Sequence, residues 1–226
     1  MIRDIPEEYR VEHYPNAWER AADHWLHVAA LGLAAVGSAW LVWLALTTGR
    51  PGLVMAAGLY GAALIAMLAF SALYNLSHIS SARPLLRRLD EAGIFLMIAG
   101  SYTPFTTLRL SGAWAIGMTS LVWSIAIVGI VGKLAFPRVR ERVWTLLYLA
   151  FGWVAVVALR PLSHTLPVVA MALLIAGGLV YTGGSLIFLN NRLPFRRAVW
   201  HGFVCAGAGL HYGAIVAVIM LVPIRV

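Results

Sequence analysis

Charge is scarce in this chain. Only 12% of its 226 residues are Asp, Glu, Lys or Arg, while 61% are hydrophobic. A soluble domain carries roughly 25% charged residues, so the composition excludes one and describes a polytopic membrane protein with a single membrane domain. Cysteine is nearly absent. Cys205 stands alone inside an apolar run, so it cannot close an intramolecular disulfide and reads as a small packing residue. A secretory signal is missing as well: residues 1–23 mix six acids with three arginines and contain no apolar core. They are expected to form a cytoplasmic N-terminal segment, interfacial or partly disordered, ahead of a transmembrane domain at 24–226. Alternating strand-length segments are missing too, which excludes a membrane β-barrel. No internal repeat or low-complexity tract occurs. The net charge of +8 is no sign of nucleic-acid binding, because the basic residues flank apolar runs.

What is present is seven stretches free of Asp, Glu, Lys and Arg: 24–49, 51–82, 92–108, 110–132, 143–159, 161–191 and 198–224. A spanning helix needs about 20 predominantly apolar residues, with about 17 as the minimum, so the sequence predicts an all-α bundle of seven transmembrane helices. Basic residues are unevenly shared. The N-terminal segment and the second, fourth and sixth loops hold thirteen, whereas Arg50, Arg109, Arg160 and Arg225 make four on the other side. The positive-inside bias then places the N-terminus in the cytoplasm and the C-terminus outside.

Ionisable groups inside such a bundle are costly and mark function. They concentrate in residues 71–104, where Ser71, Asn75 and His78 recur at i, i+4, i+7 near the cytoplasmic end of the second run. That spacing predicts one helical face. Asp90 and Glu91 open the third run, His201 lies about one turn into the seventh, and His24 opens the first. Four helices can therefore point polar groups into one cytoplasmic-side pocket. Pro104 is expected to kink or interrupt the third helix. Gly202, Ala206, Gly209 and Gly213 form a small-residue stripe suited to close packing of the seventh. His24 and His27 read as interfacial and His211 as buried and hydrogen-bonded. His13 and His164 read as having no role. Arg83, Arg87 and Arg88 read as topology determinants and as contacts for anionic lipids.

Ser71-Ala-Leu-Tyr-Asn75, Arg87-Arg88-Leu89-Asp90, Ile98-Ala-Gly-Ser-Tyr-Thr-Pro104 and Trp200-His201-Gly-Phe-Val204 together resemble the hemolysin III family. Asn16, His24, Leu193-Pro194-Phe195 and His211 fit the same pattern. This is the bacterial branch related to the progestin and adipoQ receptors and, more distantly, to alkaline ceramidases. The resemblance implies a seven-helix protein of a bacterial-type inner membrane, acting in membrane or lipid homeostasis. It also implies a zinc ion near the cytoplasmic side, held by a helix 2 histidine and two histidines at i, i+4 in helix 7, with an aspartate holding a zinc-bound water. Ser71, Asp90 and His201 match three positions of that pattern, and Ser71 and Asp90 become the candidate catalytic residues. Asn75 and Arg197 stand where the other two histidines are implied.

Two arrangements follow. In the expected one, Ser71, Asn75 and Asp90 form a hydrogen-bonded cluster, and Arg197 turns in to neutralise Asp90. In the alternative, zinc is held by a shifted set: His78, His201 and Asp90 or Glu91. The corresponding functions are a lipid-homeostasis protein, a metal-dependent lipid amide hydrolase, or a proton-coupled transporter using Asp90, Glu91 and the histidines.

Overall fold

The computed structural model describes residues 12–136, 139–190 and 192–221. Arg3, Arg10, Arg138 and Arg225, four of the residues in the basic count, lie outside them. The described residues are helical, with no strand among them. The helices are α1 (Ala17–Thr47), α2 (Pro51–Leu76), α3 (Arg83–Leu108), α4 (Gly112–Ala135), α5 (Glu141–Gly152), a 3-10 stretch (Trp153–Ala158), α6 (Leu159–Thr165), α7 (Val168–Phe188) and α8 (Arg196–Leu221). The run from Glu141 to Thr165 is one continuous rod of 25 residues, so the described residues make seven helical segments. Six of them are long and apolar enough to cross a membrane. The seventh, α3, falls short because Arg83, Arg87, Arg88, Asp90 and Glu91 crowd its first turns, while Ser101, Thr103, Thr106 and Thr107 occupy the other half.

Helix α1 begins seven residues before the first apolar run. Asn16 caps it: its Oδ1 accepts from the Glu19 backbone N–H at 2.9 Å, and Glu19 supplies the favourable acid of the first turn. From there α1 presents two faces. Asp23, His27, Ala34, Ser38, Leu41 and Ala45 are buried at helical spacing, while Trp25, Leu33, Val36, Trp40 and Trp43 are exposed. An outward stripe of aromatic and branched residues is what lipid contact requires.

Neighbouring helices pack in sequence: α1 on α2, α2 on α3, α3 on α4, and α7 on α8, with α8 returning to α1. One core joins Leu41, Tyr60, Met97, Ile215 and Val218, and a second joins Phe95, Val122, Trp144 and Phe151. Helix α3 runs through Pro104 without interruption. Hydroxyls of Ser101, Thr103 and Thr107 bond carbonyls of the preceding turn at 2.7–2.9 Å, the local help that lets proline persist in a membrane helix. The expected small-residue stripe of α8 is only partly a packing face: Gly202 and Gly213 stand against Leu26 and Leu173, and Ala206 is exposed. Gly209 has open space around it, whereas a Cβ on Gly207 would meet the Tyr181 ring, and one on Gly177 of α7 would meet His211. The α7–α8 contact needs room for two rings and takes it from Gly207 and Gly177. Tyr102 secures the 3-10 stretch: its hydroxyl donates to Gly152 O and accepts from Ala155 N–H, both at 2.7 Å, supplying the partners that the broken ladder lacks.

Candidate functional site

Three helix starts (α1, α3, α8) and one helix end (α2) meet at the same end of the bundle, and their polar side chains converge there. Asp23 is wholly buried. Its Oδ1 accepts from His201 Nδ1 at 2.6 Å, and its Oδ2 accepts a short hydrogen bond from Tyr14. His27, one turn on, places Nδ1 2.8 Å from the Asp23 backbone carbonyl. A carbonyl only accepts, so His27 Nδ1 carries the hydrogen and Nε2 keeps its lone pair. By the same reasoning the carboxylate fixes the hydrogen of neutral His201 on Nδ1. Both free Nε2 atoms then face Ser71 Oγ, at 3.4 Å from His27 and 3.3 Å from His201. The two rings sit edge to face with centroids 4.5 Å apart.

Asn75 Nδ2 donates to the Ser71 carbonyl at 3.0 Å and reaches Ser71 Oγ at 3.3 Å. Its Oδ1 accepts from Arg197 Nη1 at 2.6 Å. Asp90 lies beside Ser71, with His201 and Arg197 near. Arg197 therefore does turn inward, but its hydrogen bond goes to Asn75 rather than to Asp90. Glu91 points elsewhere, since adjacent helical residues diverge by about 100°. It pairs with Arg87 Nε at 2.9 Å and with Lys133.

Several expectations need correction. His78 does not share a helical face with Ser71 and Asn75, because α2 ends at Leu76 and His78 is exposed in the following loop. His27 is not interfacial: only 2% of it is accessible. His24 is exposed. His13 has a place at the site. Its ring packs edge-on against Tyr74, with centroids 4.6 Å apart. Its Nδ1 lies 3.3 Å from the Asn75 carbonyl, and its own carbonyl accepts from Arg197 Nε at 3.2 Å. Burial, aided by the Arg197 guanidinium, lowers the His13 pKa to about 4. Burial also raises the Tyr14 phenol well above its ordinary range, and the Asp23 carboxylate adds to that.

Sequence reasoning missed Asp23. The first apolar run was bounded at residue 24, which left Asp23 in the tail. The available signal was the i, i+4 spacing of Asp23 and His27 in phase with the buried stripe of α1.

Among the described residues, Asp23, His27 and His201 can each offer a ligand atom within 4.8 Å of the others, a group with the donor types of a metal centre. Its geometry fits the implied zinc poorly. Two ligands on one tetrahedral zinc, each bound at about 2.0–2.1 Å, lie about 3.3 Å apart. Asp23 Oδ1 and His201 Nδ1 are 2.6 Å apart, a hydrogen-bond separation, so Asp23 supports the His201 ring instead of sharing an ion with it, and two histidine Nε2 atoms are fewer than the three protein ligands zinc takes. Asn75 and Arg197 fill the other two implied ligand positions, and the guanidinium repels a divalent cation. As they stand, these residues do not fit the implied zinc.

The cluster opens into a cavity of about 470 Å³. Asp90, Ser71, Asn75 and Arg197 line it together with Glu91, Lys133 and Arg196, and Met97, Tyr102, Trp153 and Tyr181 line its apolar part. Both His201 and His211 border it. Ten residues of helix separate them, about 15 Å of rise, so the cavity is a slot that runs along α8 into the bundle.

The haemolysin-III related family model matches residues 19–212. Hemolysin-3 of Bacillus cereus is 36% identical over 164 residues, covering 73% of this chain and 75% of the relative. The Hemolysin-3 homolog of Bacillus subtilis (strain 168) is 31% identical over 160 residues, covering 71% and 75%. Monocyte to macrophage differentiation factor of Homo sapiens is 28% identical over 213 residues, covering 89% and 84%. With the family pattern spanning most of a chain whose described residues hold no strand and six membrane-length helices, this protein belongs to the hemolysin III family, the branch related to the progestin and adipoQ receptors.

Proposed function

We propose that this protein holds a lipid-like molecule within a seven-span bundle of a bacterial-type inner membrane and acts in membrane-lipid homeostasis. The cavity carries that reading. Its polar end can hold a headgroup or carbonyl, and its apolar slot can take a chain. The basic bias supports a cytoplasmic N-terminus, which puts the polar end near the cytoplasmic face, within reach of anionic lipids. Asp90 and Ser71 then stand where the membrane interior meets water.

The second reading is the metal-dependent lipid amide hydrolase of related families. Asp90 and Ser71 beside the cavity favour it. The donor set counts against it, and zinc well below one per chain is expected for the unmodified protein.

The test uses full-length protein taken directly into nanodiscs. Mass spectrometry should find a co-purified lipid that is enriched over bulk membrane and displaced when Gly178, beside the Trp153 ring in the slot, is changed to Leu. Recovery of bulk lipid composition alone would defeat the reading. A C-terminal alkaline phosphatase fusion should be active, and an inactive one would reverse the orientation.

A further inference from the structure

We infer that Ser71, His201 and Asp23 form a nucleophile, base and acid relay that cleaves a lipid carboxylic ester through an acyl-serine. This deepens the lipid-pocket reading and rests on it.

The three residues come from α2, α8 and α1, and their functional atoms form a chain of contacts. Asp23 Oδ1 holds His201 Nδ1 at 2.6 Å, and His201 Nε2 faces Ser71 Oγ at 3.3 Å. A buried carboxylate behind the imidazole fixes its tautomer and stabilises the imidazolium that forms when it takes a proton. Asp23 is buried in this way, and Tyr14 locks its second oxygen. The 3.3 Å contact lies slightly beyond the usual hydrogen-bond reach, as such contacts often do before substrate binds. His27 faces the same hydroxyl at 3.4 Å, but its ring leans on a backbone carbonyl. Asp23 orients His201 through a direct hydrogen bond, whereas its other oxygen stands 3.6 Å from His27 Nδ1. Asn75 Nδ2, 3.3 Å from Ser71 Oγ, is the nearest donor for the oxygen that gains charge in the tetrahedral state. Arg197 fixes that amide through its Oδ1.

The chemistry balances without an outside oxidant or cofactor. Ser71 Oγ attacks the ester carbonyl carbon while His201 Nε2 takes the hydroxyl proton. The C–O bond to the alcohol breaks, and the leaving alkoxide takes that proton from His201. Water then attacks the acyl-serine, giving its proton to His201. The acyl–oxygen bond breaks, Ser71 recovers the proton, and the fatty acid leaves. The apolar slot beyond Ser71 is where the acyl chain lies. Ser71 and His201 are the catalytic residues, and Asp23 is a positioning residue.

Full-length protein in nanodiscs, treated with a long-chain alkyl fluorophosphonate, tests this. Peptide mass spectrometry should place one adduct on Ser71, with labelling unchanged after dialysis against a chelator. Ser71→Ala should lose the adduct. Asp23→Asn should slow labelling by on the order of 10³-fold or more and reshape its pH profile, and Asp23→Glu should restore part of the rate. The adduct on unmodified protein decides the matter even if a variant fails to fold. An unlabelled Ser71 in protein that keeps its enriched lipid overturns the relay and leaves the pocket reading standing. Loss of both overturns both. Labelling abolished by the chelator also overturns the relay.

Discussion

His201 and His211 sit on one helix and border one cavity, yet their surroundings differ completely. His201 has a carboxylate, a serine hydroxyl and an amide within 3.5 Å. His211 has the Leu174 carbonyl at 3.3 Å and a Tyr181 ring edge. The first is held by a charge with its second nitrogen left to act. The second fills space against Gly177 and satisfies one carbonyl. What separates them is what the neighbouring helices present at each depth. Helix ends supply polar partners at one end of the slot, and mid-helix glycines and aromatics supply shape at the other.

The sharpest way to break this contrast is to remove its electrostatic side. Asp23→Ala leaves His201 and Tyr14 without their acceptor in a buried site. Such losses cost about 3 kcal/mol or more. His211→Leu removes one neutral hydrogen bond and should cost about 1 kcal/mol. Denaturant unfolding in mixed micelles checks both, and equal losses would erase the distinction between the two ends.

A second test changes the chemistry of the polar end. Asn75→His combined with Arg197→His removes the guanidinium and adds two imidazoles beside His201. Elemental analysis should show zinc rising from well below one per chain toward one. Stoichiometric zinc in the unmodified protein would overturn the fit argument made from Asp23 and His201.

The smallest effect concerns the segment over the cavity mouth. The His13 pKa of about 4 in the fold lies below its ordinary 6.5, so the folded state favours the neutral ring. Its contribution to docking is complete above about pH 6.5 and is lost as pH falls from there toward 4. Amide hydrogen exchange around Tyr14–Ala17 should rise across that window, and His13→Gln should flatten the change.

The bundle was legible because lipid forces a simple rule: about 20 apolar residues between basic loops. The meeting of the second, third and seventh runs at one edge was legible too, because Ser71, Asp90 and His201 lie near the ends of those runs. Asp23 was hidden because a charged residue marks the end of an apolar run by composition, whereas helix capping at Asn16 carries α1 well past that end. The position of His78 was misjudged for the converse reason. Helical periodicity was extended across Ser77, whose extended backbone ends α2. Which ring nitrogen of His201 bears a proton, and what faces the other, depends on contacts between residues more than a hundred positions apart. No local pattern encodes those contacts.

The Asp23–His201 hydrogen bond joins residues 178 positions apart. At roughly 5–20 residues per second of synthesis, the first helix waits on the order of 10–35 s before its partner exists. Throughout that interval α1 carries a carboxylate with Tyr14 for one oxygen and no partner yet for the other. Arrival of the last helix supplies that partner and closes the ring of helices. The site is therefore complete only once the last helix has been made. A chain truncated within α8 before His201 should be recognised as unfinished by membrane quality control, whereas one shortened beyond the last turn should not.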